Sequence, residues 1–150
     1  MSNWTHVAGI VRLDSFRNME GMFKDGIKDN DYNLNDLYDL FGKEIKFDST
    51  YEEWDDAEEN PNNYLPFGSE GSLKLDLWTN SDKGCISSYT VSIFGDLRDH
   101  DNPQDIVNWF KDRLDKIEYN NNNNVWIRQA VILVDNEWNG RVTYSYKYEE

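Results

Sequence analysis

The stretch Ser88-Tyr-Thr-Val-Ser-Ile-Phe94 opens the part of the chain that decides the fold class. Apolar residues alternate with Thr and Ser, and this period of two predicts a strand with one buried face. Gly95 is expected to end the strand, before a polar turn. Asn102 and Pro103 then supply an N-cap and a first helical residue. Since Val125 to Val134 has the pattern of a further strand, the stretch predicts a β-α-β unit.

An amphipathic helix is predicted between these two strands, because apolar residues recur there at spacings of three and four. The residues of this stripe are Ile106, Trp109, Phe110, Leu114 and Ile117. We expect Trp109 and Leu114 to be largely buried, together with Val91 of the preceding strand.

Working outward, hydrophobic periodicity predicts further elements on both sides of this unit. Strands are predicted at residues 4–13, 43–50, 72–79 and 142–148, and helices at residues 16–28 and 34–41, with Gly42 ending the second helix. Hairpin turns are expected at residues 80–84 and at Asn139-Gly140. Ala8 and Ile10 make the second face of the first strand apolar too, which is typical of a central strand covered on both sides.

The predicted order of elements is β-α-(α, insertion)-β-β-α-β-β within a single domain, residues 1–150. This predicts an α+β fold with a ferredoxin-like βαββαβ core. An acidic insertion at about residues 43–71 and an extra C-terminal β-strand are added to that core. A different α+β sheet with helices on one face is the main alternative.

Charge and composition narrow the classes of partner. The chain carries 29 acidic and 15 basic residues, a net charge of −14, which argues against direct nucleic-acid binding and against docking on anionic membranes. Cys85 is the single cysteine, so no intramolecular disulfide is expected. The first residues lack the basic and apolar regions of a signal peptide, and no apolar run approaches the length of a membrane span. A cytoplasmic protein is therefore expected.

The run Glu52-Glu-Trp-Asp-Asp-Ala-Glu-Glu59 holds six carboxylates in eight residues and is the most unusual local feature. In a helix, residues 52, 55, 56 and 59 would share a face, at spacings where like charges repel. Such runs are often only a solvated face, but this one could also imitate DNA phosphates or meet a basic protein. The candidate partner-binding residues are Glu52, Glu53, Trp54, Asp55, Asp56, Glu58 and Glu59, with Trp54 as the apolar anchor.

Asp96, Asp99, His100 and Asp101 form a second polar cluster, ahead of a predicted helix N-terminus. An Asp/His group could bind a divalent metal or position a general base. Its spacing matches no metal-binding loop, however, and Asp-rich turns before helices commonly cap them. We therefore expect no metal site, no catalytic residue and no cofactor. The residues of an alternative small-ligand site are Asp96, Arg98, His100, Tyr144 and Tyr146, whose tyrosines could stack on a ring.

The segment Gly68-Ser-Glu-Gly71 has backbone amides that could cradle a phosphate. It lacks the Lys-Ser/Thr of a P-loop and the spacing of a dinucleotide fingerprint. A turn is therefore the expected structure there.

The composition resembles that of small acidic proteins encoded by phages and prophages of low-GC bacteria, since Asn is very frequent and Ala and Pro are scarce. The segments Phe67-Gly-Ser-Glu-Gly-Ser-Leu73 and Val91-Ser-Ile-Phe-Gly-Asp-Leu-Arg98 look similar to hypothetical proteins of that kind. The resemblance implies an anti-defence protein, a class that includes acidic DNA mimics and binders of signalling nucleotides. It assigns a role to no individual residue.

The expected function is that of a non-enzymatic binding protein. It would inhibit a basic or DNA-binding host protein through an acidic, DNA-mimicking surface, in the host cytoplasm if it is phage-encoded. The alternative is a binder of a small molecule or signalling nucleotide that uses the sheet aromatics. An enzyme is disfavoured, because no nucleophile–base pair or metal signature can be assembled. Homo-oligomerisation is left open.

Overall fold

A single antiparallel sheet organises the protein. The computed structural model describes residues 2–16, 38, 40–46, 48–80, 86–119 and 125–146. The strands are β1 (Trp4–Phe16), β2 (Lys74–Asn80), β3 (Ile86–Arg98), β4 (Val125–Asn136) and β5 (Gly140–Ser145). They lie in the order β2-β3-β1-β4-β5, and every neighbouring pair is antiparallel. Together with two helices, this sheet confirms the α+β class.

Two helices lie entirely within the described residues, α1 (Tyr51–Glu59) and α2 (Pro103–Tyr119), with a 3-10 turn at Pro61–Asn63. The predicted start of α2 is confirmed, because the side-chain oxygen of Asn102 accepts a hydrogen bond of 3.0 Å from the N–H of Gln104. No described helix has the length and apolar character needed to cross a membrane.

The main core lies between α2 and one face of the sheet. Alternate residues of the strands point into it, and the stripe of α2 covers them. Among its fully buried members are Val11, Leu13, Tyr89, Val91, Ile93, Ile106, Phe110, Leu114 and Ile132. The predicted burial of Val91 and Leu114 is confirmed. Trp109 is less buried than these residues, but most of its surface is covered and it packs against the same core.

Two predictions are wrong, the end of β3 and the strand at residues 43–50. Gly95 does not end β3, which continues to Arg98. A Cβ at Gly95 would lie 3.0 Å from the Ser72 carbonyl oxygen and 3.1 Å from Leu73, so the glycine allows close backbone approach instead. The strand predicted at residues 43–50 is absent from the described part of that segment, where Lys43 only forms a bridge with Tyr64.

The described end of the second predicted helix is as expected. Tyr38, Leu40 and Phe41 are helical, and Gly42 has φ +118° and donates its N–H to the Tyr38 carbonyl at 2.9 Å. This is the geometry of a glycine that ends a helix.

Phe16, the predicted first residue of the helix at 16–28, belongs to β1, and Asn80, the predicted first residue of the turn at 80–84, belongs to β2. Residues 17–28, residues 81–84 and Cys85 lie outside the described residues.

A small second core holds α1 against the segment that follows it. Ile45, Ala57 and Tyr64 are buried together, with Trp54 and Phe67 packed against them. Nearby, Phe41 and Leu65 join the main core. Because the main core lies between the sheet and α2, the segment that follows α1 lies on the α2 side of the sheet.

Candidate functional site

The acidic run forms α1 because local signals favour a helix there. Thr50 is the N-cap, and its hydroxyl accepts the N–H of Glu53 at 3.2 Å. Glu52 and Glu53 lie in the first turn, where the helix dipole favours negative charge. Glu58 and Glu59 lie at the opposite end, where the dipole disfavours them, and the last turn contains no basic residue.

All six carboxylates of α1 are exposed to solvent, as predicted. Within the part of the chain that the structure describes, none of them lies within 4 Å of a Lys or Arg side chain. By contrast, Glu44, Glu70 and Asp112 each have a basic partner. The charge of α1 therefore remains available to a partner.

Asp56 differs from the other carboxylates of α1 because it has structural contacts. Its two oxygens accept hydrogen bonds from the Tyr64 hydroxyl at 2.5 Å and from the Asn60 side chain at 3.0 Å. The bond from Tyr64 is the main reason that the pKa of Asp56 is lowered. The same bond raises the pKa of Tyr64 to about 12. Asp56 thus ties the helix to the following segment.

Trp54 is not a free apolar anchor. It is half-buried, with its ring edge-to-face on Phe67 at a centroid distance of 5.8 Å and an interplanar angle of 75°. Its packing holds α1 in place. Tyr51, which our sequence reasoning overlooked, is the large exposed side chain of this helix, at 83% exposure. Its place at the helix start beside two glutamates was the available signal.

The Asp96–Asp101 segment is tied into the fold by hydrogen bonds. Asp101 accepts from the Asn3 side chain at 2.7 Å, and Asp99, at φ +60°, accepts from the Ser69 hydroxyl at 2.7 Å. The His100 carbonyl accepts from the buried Thr5 hydroxyl at 2.6 Å. Over the described ranges, no group of three or more His, Cys, Asp or Glu side chains is arranged to hold a metal ion.

The five residues of the alternative ligand site do not converge. Asp96 is exposed on the face of the sheet that α2 leaves uncovered, while Tyr144 lies beneath α2, in edge-to-face contact with Phe110 at 6.2 Å. Tyr146 is also buried in the main core. Arg98 is paired with Glu70 at 3.0 Å. The two tyrosines and Asp96 therefore lie on opposite faces of the sheet, and His100 lies beyond the end of β3.

The Gly68–Gly71 segment is a turn, as expected, and two of its amides have partners within the protein. Gly68 donates to the Gly71 carbonyl at 3.0 Å, and Ser69 donates to the Arg98 carbonyl at 2.9 Å. In return, Arg98 donates its N–H to the Glu70 carbonyl at 2.9 Å. Because these amides are used, the segment fastens the end of β3 rather than cradling a phosphate.

The uncovered sheet face exposes apolar side chains. Ile10 is 49% exposed, Phe94 43% and Val131 42%, and Ala8 is exposed as well. The prediction that β1 is covered on both faces is therefore wrong. In the register of the sheet, Ile10 lies directly beside Val131, and Ala8 lies beside Phe94. These side chains form a continuous apolar strip on an acidic protein.

The two histidines have opposite pKa shifts. The Asp96 carboxylate accepts a hydrogen bond of 2.6 Å from Nδ1 of His6, and this bond is the main cause that raises the pKa of His6 above 6.5. Burial is the main cause that lowers the pKa of His100 below 6.5.

We expect two separate histidine titrations by NMR, with His6 above pH 6.5 and His100 below it. The contribution of His6 to stability is complete below pH 6.5 and is lost as the pH rises through its folded pKa. The contribution of His100 is present above pH 6.5 and is lost as the pH falls through its folded pKa. Asp96→Asn should return the His6 titration toward pH 6.5. Coincident titrations in the wild type would contradict this assignment.

Arg113 is a residue that our sequence reasoning overlooked. It lies seven residues after Ile106 and three after Phe110, so it occupies the apolar stripe of α2. Its side chain is only 6% exposed. A basic residue at a stripe position was the signal that could have identified it.

No family model, no curated protein and no solved structure matches this chain.

Proposed function

We propose that the protein is a non-enzymatic binding protein that meets a basic partner through α1. The observation that carries this proposal is the exposure of six carboxylates without an ion-pair partner among the described residues. The N-cap at Thr50 and the packing of Trp54 hold the helix in one orientation. A partner that carries Lys or Arg would relieve the repulsion between these carboxylates, and long-range attraction would speed the encounter.

The length of α1 limits how far it can imitate DNA. Nine helical residues extend over about 13 Å at about 1.5 Å per residue. A DNA strand places one phosphate about every 3.4 Å, so α1 spans about four phosphates of one strand. Asp56 already has two hydrogen bonds. A compact basic patch on a protein is therefore the partner that we favour over a long DNA-binding groove.

The wider context of the proposal is an accessory protein of a phage or prophage that inhibits a host defence factor in the host cytoplasm. Support for this context comes from the overall acidity and from the composition described above. We further propose a ferredoxin-like core, with residues 43–71 as an acidic insertion and β5 as an added strand. The strand order β2-β3-β1-β4 and its antiparallel pairing support that assignment. Self-association also remains a proposal, for which the exposed strip around Ile10 and Val131 is the natural surface.

Two matched triple variants test the role of α1. Glu52→Gln/Asp55→Asn/Glu59→Gln removes three charges from one side of the helix, while Asp76→Asn/Asp112→Asn/Asp115→Asn removes three exposed charges from β2 and α2. After a pull-down from a bacterial lysate identifies a partner, the association rate is measured at several salt concentrations. We expect the α1 variant to associate more slowly and with a weaker salt dependence, because screening acts on the charges that face the partner.

The control variant should retain the wild-type rate and salt dependence, because the two variants have the same net charge. Equal effects of both variants would show that only the overall charge matters and would overturn the assignment to α1. Sedimentation of the purified protein before these measurements gives its stoichiometry.

A further inference from the structure

Arg113 is a buried cation that no described acidic side chain contacts, although Asp112 acts on its charge from a longer distance. Arg113 is only 6% exposed, and no Asp or Glu of the described chain lies within 4 Å of its side-chain nitrogens. One nitrogen, Nη2, donates to the Asn62 carbonyl, while Nε has no partner. Transfer of an uncompensated charge out of water is costly, so a counter-charge is expected nearby.

A cavity of about 250 Å³ adjoins this side chain. Lys43, Asp56, Asn62 and Asn63 line it together with Arg113. The backbone of Lys43 is fixed there, since its N–H donates to the Asn63 carbonyl at 3.0 Å and its carbonyl accepts from Leu65 at 2.8 Å. Two cationic side chains and one carboxylate give the lining a net charge of +1, in a protein whose net charge is −14.

We propose that this cavity binds a small oxyanion, a carboxylate or phosphate group, against the guanidinium of Arg113. A planar guanidinium presents paired N–H donors that match either group, and such charge-assisted hydrogen bonds are the strong ones. Asn62 and Asn63 add amide donors at the same cavity. The volume is below the roughly 300–1,000 Å³ that is typical of sites for drug-sized ligands. The occupant is therefore a small anion, or only the anionic end of a larger molecule.

Asp56 is the group that opposes an anion in this cavity. Both of its oxygens accept hydrogen bonds, from Tyr64 and Asn60, which reduces its effect on the cavity. Lys43 is also close enough to Asp56 to lower its pKa. Asp56 belongs both to α1 and to the lining of the cavity. The proposal nevertheless does not rest on the partner-binding role of α1, because the anion would bind Arg113 and Lys43 and needs no protein partner.

The site is tested by titration with inorganic phosphate and, separately, with acetate. Chloride at the same ionic strength is the control. The readout is the NMR resonance of the Arg113 Nε–H, together with the melting temperature. We expect at least one oxyanion to produce a saturable shift of this resonance and a concentration-dependent rise in melting temperature, as binding to the folded state requires. If neither oxyanion shifts the resonance, or if chloride shifts it equally, the proposal is wrong.

Three single variants test whether the oxyanion binds at Arg113. Arg113→Met keeps the length of the side chain and should abolish the phosphate- or acetate-dependent rise in melting temperature. Arg128→Met removes an exposed arginine on the sheet, 3.6 Å from Asp14, and should retain the rise. Lys43→Met, away from the core, should weaken the binding at least several-fold, and this variant decides the matter if Arg113→Met does not fold. An unchanged response in Lys43→Met, or an equal loss in Arg128→Met, would overturn the proposed site.

Discussion

Replacement of Phe110 by alanine is expected to lower the free energy of unfolding by about 3–5 kcal/mol, the range for an aromatic residue deleted from a core. Phe110 has no exposed surface and lies at the contact between α2 and the sheet. Its ring meets Tyr144 edge-to-face at 6.2 Å and lies 6.4 Å from the ring of Trp109. Truncation would therefore remove the apolar burial and leave a cavity between two layers that cannot easily close.

The neighbouring Trp109→Ala is the matched control, because it deletes a larger ring from a partly buried position. We expect it to lower the free energy of unfolding by only about 2 kcal/mol, since part of the ring is already in water. Urea denaturation of both variants is the measurement, with unchanged slopes as the sign that both remain two-state. A larger loss for Trp109→Ala than for Phe110→Ala would contradict the described orientation of α2.

The second large effect is expected at the turn that fastens the end of β3. A Cβ at Gly68 would overlap the carbonyl oxygen of Arg98, and a Cβ at Gly71 would overlap the carbonyl oxygen of Asp96. Both obstacles are backbone atoms of a paired strand, which cannot move without breaking hydrogen bonds. Each glycine-to-alanine change should therefore lower the free energy of unfolding by about 3 kcal/mol or more.

Gly140→Ala separates the steric effect from the conformational one. Gly140 has φ +90°, but its Cβ would meet nothing within 4 Å. Its replacement should lower the free energy of unfolding by only the roughly 1–2 kcal/mol of a left-handed residue. Gly71, at φ +85°, combines both effects, whereas Gly68 has the overlap without the positive φ. Thermal and urea denaturation that gave equal losses for Gly68→Ala and Gly140→Ala would rule out the close approach of this turn to β3.

The local elements followed from the sequence because their causes lie within a few residues. Period-two alternation predicted β3, and Asn102 with Pro103 predicted the start of α2. Gly42 marked a helix end. In each case the signal is backbone hydrogen bonding or side-chain direction along a short segment, which the residues themselves determine.

The candidate site could be predicted from the sequence only in part. Exposure of the acidic side chains was predictable, since six carboxylates in eight residues could not be buried together. The half-burial of Trp54 was not predictable, because it depends on Phe67, thirteen residues further along the chain. The separation of Asp96 from Tyr144 depends on which face of the sheet α2 covers.

The sequence by itself determined the class of fold, the main strands and α2, and the acidic surface. Only the tertiary structure decided that β3 continues through Gly95, because Ser72 and Leu73 approach that glycine closely. It also decided that Ile10 remains exposed and that Arg113 is buried beside a cavity. Burial, close backbone approach and the pairing of charges depend on residues that are distant in the chain, and no local pattern encodes where those residues meet.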